Sequence, residues 1–205
     1  MRVHVVHGIM DRVGTSGLLN LVPYLKAAGF DCRVPDYGLI TAVETHIANP
    51  LIRRTLFPYI EPGDLYVGHS NGCAIGYELM QLGAPLAGAV YINAALYRDI
   101  KLPAPTTLGW LDVYYNGGDS ATVAAVVGAK LGLTDGSWGE MGHAGYLGSD
   151  TRVTNIDAGK ANKATALGLG LEDLPAVSGH SDIFTPAKLA AGWGRFITDR
   201  IRKHL

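Results

Sequence analysis

The chain has 205 residues, 48% of them apolar and 17% charged, which suits one ordered core and leaves little room for two. A formal net charge of -1 offers no basic field for nucleic acid and no acidic tail. The 27 glycines are scattered rather than periodic, which excludes collagen-like and low-complexity chains and predicts many tight turns. No apolar run approaches the ~20 residues needed to cross a bilayer, so no integral membrane association is expected. The sequence opens directly on Val3-His4-Val5-Val6, without a charged, apolar and small-residue leader, and a cytoplasmic protein is expected. Cys32 and Cys73 lie in apolar patterns and read as buried free thiols rather than a metal or redox pair.

Short β-branched runs alternate with longer helical patterns, the signature of a parallel sheet covered by helices. A strand at 2–6 is followed by Leu18, Leu21, Val22 and Leu25 at helical spacing, with Gly29 as the stop. After a strand at 31–35 comes an untidy helix, where Asn49-Pro50 reads as a cap with proline in the first turn and Pro58 arrives early. The strand at 64–67 leads into a helix from Ser70, with Ala74, Ile75, Leu79 and Leu82 on one face and Gly83 at its end. Further strands are predicted at 86–92, 111–115 and 151–156, most of them nearly continuous apolar runs that suit a sheet covered on both faces. In the last helix Thr185 caps, Pro186 opens, and Leu189, Trp193, Phe196, Ile197 and Ile201 make the buried stripe. Two long stretches fit no element: 93–109, and the Gly-rich 134–149 with Trp138, Met141 and Tyr146. Loops of this length tend to be functional or mobile. With no repeat and no linker, residues 1–205 read as a single domain.

Gly68-His69-Ser70-Asn71-Gly72 matches G-x-S-x-G, a pattern that a glycine-rich chain also produces by chance. Its setting gives it weight, because it follows a short strand and immediately precedes an amphipathic helix. A serine on such a sharp turn is lifted clear of the sheet edge, and flanking glycines let strand and helix backbones pass closely. The new helix also points free N–H groups toward developing negative charge. The plainer alternative is a βα turn with an N-capping serine. Gly179-His180-Ser181 repeats the G-H-S triplet, but Asp182 and Ile183 follow and no strand leads into it, so Ser181 is a poor nucleophile.

On His7-Gly8, Gly68 to Gly72, Asp119, His180 and their order, the chain resembles the α/β-hydrolase family over nearly its whole length. That resemblance implies a three-layer α/β sandwich whose mostly parallel six-stranded sheet is ordered 2-1-3-4-5-6. The first strand already carries His-Gly at its end, so the family's N-terminal antiparallel strands are lacking, and the likeness is to small, capless esterases and lipases. The family order of serine, then acid, then histidine leaves His143 and His180 as bases, and His180 lies in the loop where the family places it. Asp119 follows the strand at 111–115 across Asn116-Gly117-Gly118 and is the implied acid, with Asp157 as the alternative; its plainer role is a helix N-cap. Asp112 lies too early in its strand to reach the carboxyl edge. The implied oxyanion donors are the backbone N–H groups of Asn71 and Ile9, with Met10 in reserve. No H-E-x-x-H, paired Cys/His spacing, G-x-G-x-x-G or P-loop is present, so neither metal nor cofactor is expected.

The implied function is hydrolysis of a small-molecule carboxylic ester through a Ser70 acyl-enzyme. Thioesters or amides would use the same residues, and a non-catalytic binding protein is the alternative of another class. Trp110, Trp138, Met141 and Tyr146 suggest an apolar pocket, although such aromatics are more often packing.

Overall fold

The computed structural model describes residues 1–11, 13–133, 137–160 and 173–205. Six strands, β1 (Arg2–Val6), β2 (Asp31–Arg33), β3 (Asp64–His69), β4 (Leu86–Ile92), β5 (Leu111–Tyr115) and β6 (Val153–Asp157), form one sheet ordered β2-β1-β3-β4-β5-β6. Every pairing is parallel. Because side chains alternate along a strand, each strand feeds two cores. Tyr66, Ala89, Tyr91, Leu111 and Val113 face α2 (Thr45–Leu56), α3 (Asn71–Gln81) and α4 (Ser120–Lys130), where Ile52, Ile75, Leu79 and Ala125 meet them. Leu65, Val67, Val90, Ile92 and Tyr114 face the opposite way, onto Leu25 of α1 (Val22–Ala27) and Ile197 and Ile201 of a helix near the C-terminus. The result is the expected three-layer sandwich. No helix among the described residues is long and apolar enough to cross a membrane.

Several boundaries differ from expectation for local reasons. β2 stops at Arg33 instead of residue 35, where its register with His4 ends and Pro35 has no N–H to offer. β3 runs on to His69 because β4 pairs with it as far as Ile92. β6 begins at Val153, since Asp150 and Arg152 are held in a turn by their own ion pair and by Arg152 bonds to Leu108 O and Pro103 O. α2 begins at Thr45 rather than at Asn49, and Pro50 lies inside it. Its start is set by Glu44, whose carboxylate accepts from Thr41 N and Oγ1 at 2.7 and 2.8 Å. Asn49 therefore lies inside the helix, past its first turn.

The C-terminal helix is likewise interrupted. Thr185 caps α6 (Pro186–Lys188) as expected, but a π turn at Leu189–Trp193 separates it from α7 (Gly194–Lys203). Gly192 adopts φ of 129°, a conformation L side chains rarely reach. The buried stripe survives the break at Leu189, Trp193, Ile197 and Ile201, while Phe196 is only half-buried.

The two long loops are tied to each other. Arg98 donates to Gly145 O and Ala144 O at 3.0 Å each, and Leu147 N donates to Arg98 O at 2.8 Å. The short α5 (Met141–Ala144) docks beside β5, with Asn116 N donating to Gly142 O and Gly142 N to Ala94 O. Residues 134–136 of the second stretch lie outside the described residues.

Asp112 follows from the same alternation. It points toward α7, where its fully buried carboxylate accepts from Arg200 Nε and a guanidinium NH2 at 3.1 and 2.8 Å. Removing one partner of a buried, bidentate pair strands the other charge in the core. Arg200→Ala is expected to lower unfolding free energy by about 3–5 kcal/mol, measured by urea denaturation at neutral pH; a loss under 1 kcal/mol would mean that water reaches Asp112.

Candidate active site

The turn between β3 and α3 is held by close contacts. A Cβ on Gly72 would lie 2.2 Å from Val6 O and 2.7 Å from His7 O, so only glycine lets α3 start this close to β1. Gly68 is less constrained, its Cβ position reaching 3.0 Å from Cys73 N. Between them Ser70 takes φ 55° and ψ -122°, a conformation that persists only where its surroundings enforce it. Tyr66 Oη, buried beneath the turn, donates to Gly72 O at 2.6 Å. The Asn71 side chain exchanges amide bonds with Asn49 at 2.9 Å in each direction and accepts from Trp138 Nε1 at 2.9 Å. Ser70 makes no capping bond with its side chain, which removes the N-cap explanation for it.

Gly8, at the end of β1, lies against this serine, with its Cβ position 2.9 Å from Ser70 Cβ. The next residues present N–H groups to the same region. Met10 N is already bonded to Ile40 O at 2.8 Å, whereas Ile9 N has no backbone partner among the described residues. Asn71 N, in the first turn of α3, has no partner within its helix.

Asp119 sits at the N-terminus of α4 and is fully buried. It does serve as a cap, accepting from Thr122 N at 3.2 Å, and it also accepts from His180 Nδ1, which is 2.9 Å from both of its oxygens. With Nδ1–H committed to the carboxylate, His180 Nε2 carries the lone pair. Asp157 is turned elsewhere, accepting from Lys160 N at 3.2 Å and pairing with Lys160 Nζ at 3.2 Å. His143 lies on α5, in a separate depression beside Tyr115 and Asp157.

Three side chains not singled out by sequence hold the His180 loop. Asn93, itself at φ 48°, donates to His180 O and, at 3.3 Å, to Gly179 O. Asn116 donates to Asn93 Oδ1 at 3.2 Å and to Gly179 O at 3.3 Å. His69 Nε2–H donates to His180 O at 3.0 Å, and the two imidazoles are 4.7 Å apart. Gly118 brings the loops together through the backbone, since a Cβ there would sit 2.2 Å from Ser178 O. Asn93 directly follows β4 and Asn116 directly follows β5, positions at the carboxyl edge of a parallel sheet where sites collect. That position is the signal by which the sequence could have found them.

Ser70, His180 and Ile9 line one cavity of about 470 Å³, with Trp138 forming part of its wall. Met141 and Tyr146 instead join the core on the α3 face, and Trp110 stacks on His204. The aromatics expected at the site thus divide between cavity and packing. Cys73 is free and fully buried, with its thiol pKa pushed up by burial. Among the described residues, no group of three or more His, Cys, Asp or Glu is placed to hold a metal.

No family model and no curated protein sequence matches the chain. Comparison with solved structures shows that hydrolases of low sequence identity share its fold. A monoacylglycerol lipase from Paleococcus ferrophilus matches at a TM-score of 0.58 and 12% identity, over 100% of this chain and 95% of the lipase. A pyrethroid hydrolase from Sphingobium faniae matches at 0.52 and 14%, over 99% of each chain. The esterase domain of a Rhodothermus marinus protein matches at 0.52 and 14%, over 98% of this chain and 86% of the domain.

Burial, with the neighbouring His180 adding to it, lowers the His69 pKa from its ordinary 6.5 to about 3. Between these values the unfolded chain holds more protons than the folded one, so acid costs stability. The contribution is complete above about pH 6.5 and falls by up to about 1.4 kcal/mol per pH unit toward pH 3. The difference in unfolding free energy between wild type and His69→Phe is expected to rise with pH across this window and flatten above it. Parallel curves from chemical denaturation would show that His69 is not buried in its neutral form.

Proposed function

We propose that this chain is a serine hydrolase that cleaves carboxylic esters, with Ser70 as nucleophile, His180 as base and Asp119 as the acid that orients it. The observation that carries the reading is the bidentate approach of Asp119 to His180 Nδ1, made in a cavity that Ser70 also lines. It fixes the tautomer in which Nε2 can accept a proton. The strained serine with no capping duty, and the esterases and lipases among proteins of like fold, support the same conclusion. A single domain with no cap, acting on a small acyl ester, fits the chain's length and its tethered loops.

The mechanism is acyl transfer in two steps. His180 Nε2 takes the hydroxyl proton as Ser70 Oγ bonds to the ester carbonyl carbon. The resulting oxyanion is met by the N–H groups of Ile9 and Asn71, Met10 being excluded by its bond to Ile40. As the C–O bond to the alcohol breaks, the imidazolium returns its proton to the departing oxygen. Water then adds to the acyl-enzyme, giving one proton to His180, which passes it back to Ser70 as the carboxylic acid leaves. Asp119 stays ionised throughout and stabilises the imidazolium.

Ser70→Ala is expected to abolish both labelling by a fluorophosphonate probe and hydrolysis of an activated aryl ester. Asp119→Asn is expected to reduce kcat by about 10³–10⁴ through the wrong imidazole tautomer. Persistent labelling in a folded Ser70→Ala protein would overturn the assignment. A wild type that takes no label and turns over no ester would favour a binding protein on the same fold.

A further inference from the structure

Among the described residues, the charge on the cavity wall is one-sided. Asp11, two residues beyond the proposed oxyanion donor Ile9, is half-buried and lines the cavity. Its carboxylate has no hydrogen bond or ion pair among the described residues. No Lys or Arg is among the described lining residues, and His69 is held neutral by burial. His180 is uncharged when acting as a base, and Asp119 adds a second negative charge behind it.

A carboxylate so close along the chain to an oxyanion donor works against the charge that develops on the carbonyl oxygen. It opposes reaction of a neutral or anionic substrate and favours one that carries its own positive charge. Such a substrate would find a partner in Asp11, in a cavity of about 470 Å³. Trp138 adds an aromatic wall of the kind that also receives cations. Building on the hydrolase reading above, we propose that Asp11 selects esters bearing an amine or quaternary ammonium group and disfavours those bearing a carboxylate.

Three aryl esters of equal acyl length, ending in trimethylammonium, tert-butyl or carboxylate, test the proposal. Wild type should show kcat/KM falling in that order, with roughly tenfold or more between cation and anion at low salt and a smaller spread at high salt. Asp11→Asn should lower kcat/KM for the cationic ester and raise it for the anionic one. An unchanged ratio in Asp11→Asn overturns the proposal, as does a wild-type preference for the carboxylate ester. Binding of benzyltrimethylammonium and benzoate to the Ser70→Ala protein, followed by tryptophan fluorescence, gives a readout independent of turnover. Stronger binding of the cation, weakened by adding Asp11→Asn, supports the proposal even if Ser70 proves not to be the nucleophile. Equal binding of the two ions overturns it, whereas failure of fluorophosphonate labelling bears on Ser70 alone.

Discussion

The contact between Gly72 and the carbonyls of Val6 and His7 sets the geometry from which the site follows. With no Cβ at 72, α3 starts directly against the end of β1, and the chain between β3 and α3 has only Ser70 in which to reverse. A left-handed φ at a serine costs on the order of 1–3 kcal/mol, and that cost is carried by neighbours rather than by the turn itself. Tyr66 fastens Gly72 from below, while Asn49 and Trp138 fasten Asn71 from the side. Two of these three anchors come from other elements of the α3-side layer, so strain in one residue is borne by the packing of many.

The histidine is positioned differently, by polar groups instead of close backbone packing. Its loop lies over the carboxyl edge of the sheet, where β4 and β5 are each followed by an asparagine that bonds to its carbonyls. Asparagine suits this duty because it donates without bringing a charge to the surroundings of the His180 imidazole. His69 contributes a third donor while staying neutral, since its burial makes the charged form costly. Asp119 is the one buried charge in the arrangement, and it is met by Thr122 N and by His180 itself.

Most element positions were legible in the sequence because they rest on periodicity, whereas the sheet order was implied by the resemblance to a known family. The nearly continuous apolar run at 86–92 and the β-branched and aromatic run at 111–115 mark those strands by themselves. Ser70, Asp119 and His180 could be proposed as a set because their glycine neighbours and chain order leave a local trace, and His180 does meet Asp119. Less legible were features whose cause is distant. Pro50 reads as a helix start, yet Glu44 had already begun the helix through Thr41. Gly192 looks like a tolerated glycine in a helix and instead marks a π turn packed against Leu174. Asn93 and Asn116 each sit far along the chain from the histidine they hold, and no local pattern distinguishes them from ordinary loop asparagines.

The parts of the site are spread from Gly8 near one end of the chain to His180 near the other, through contacts that close only when the sheet is complete. Loop closure over such separations comes late in folding. During synthesis the first strand and the serine turn emerge from the ribosome well before the histidine loop and the helix that packs behind it. Ser70 and His180 therefore come to line one cavity only after the segment that carries His180 has been made.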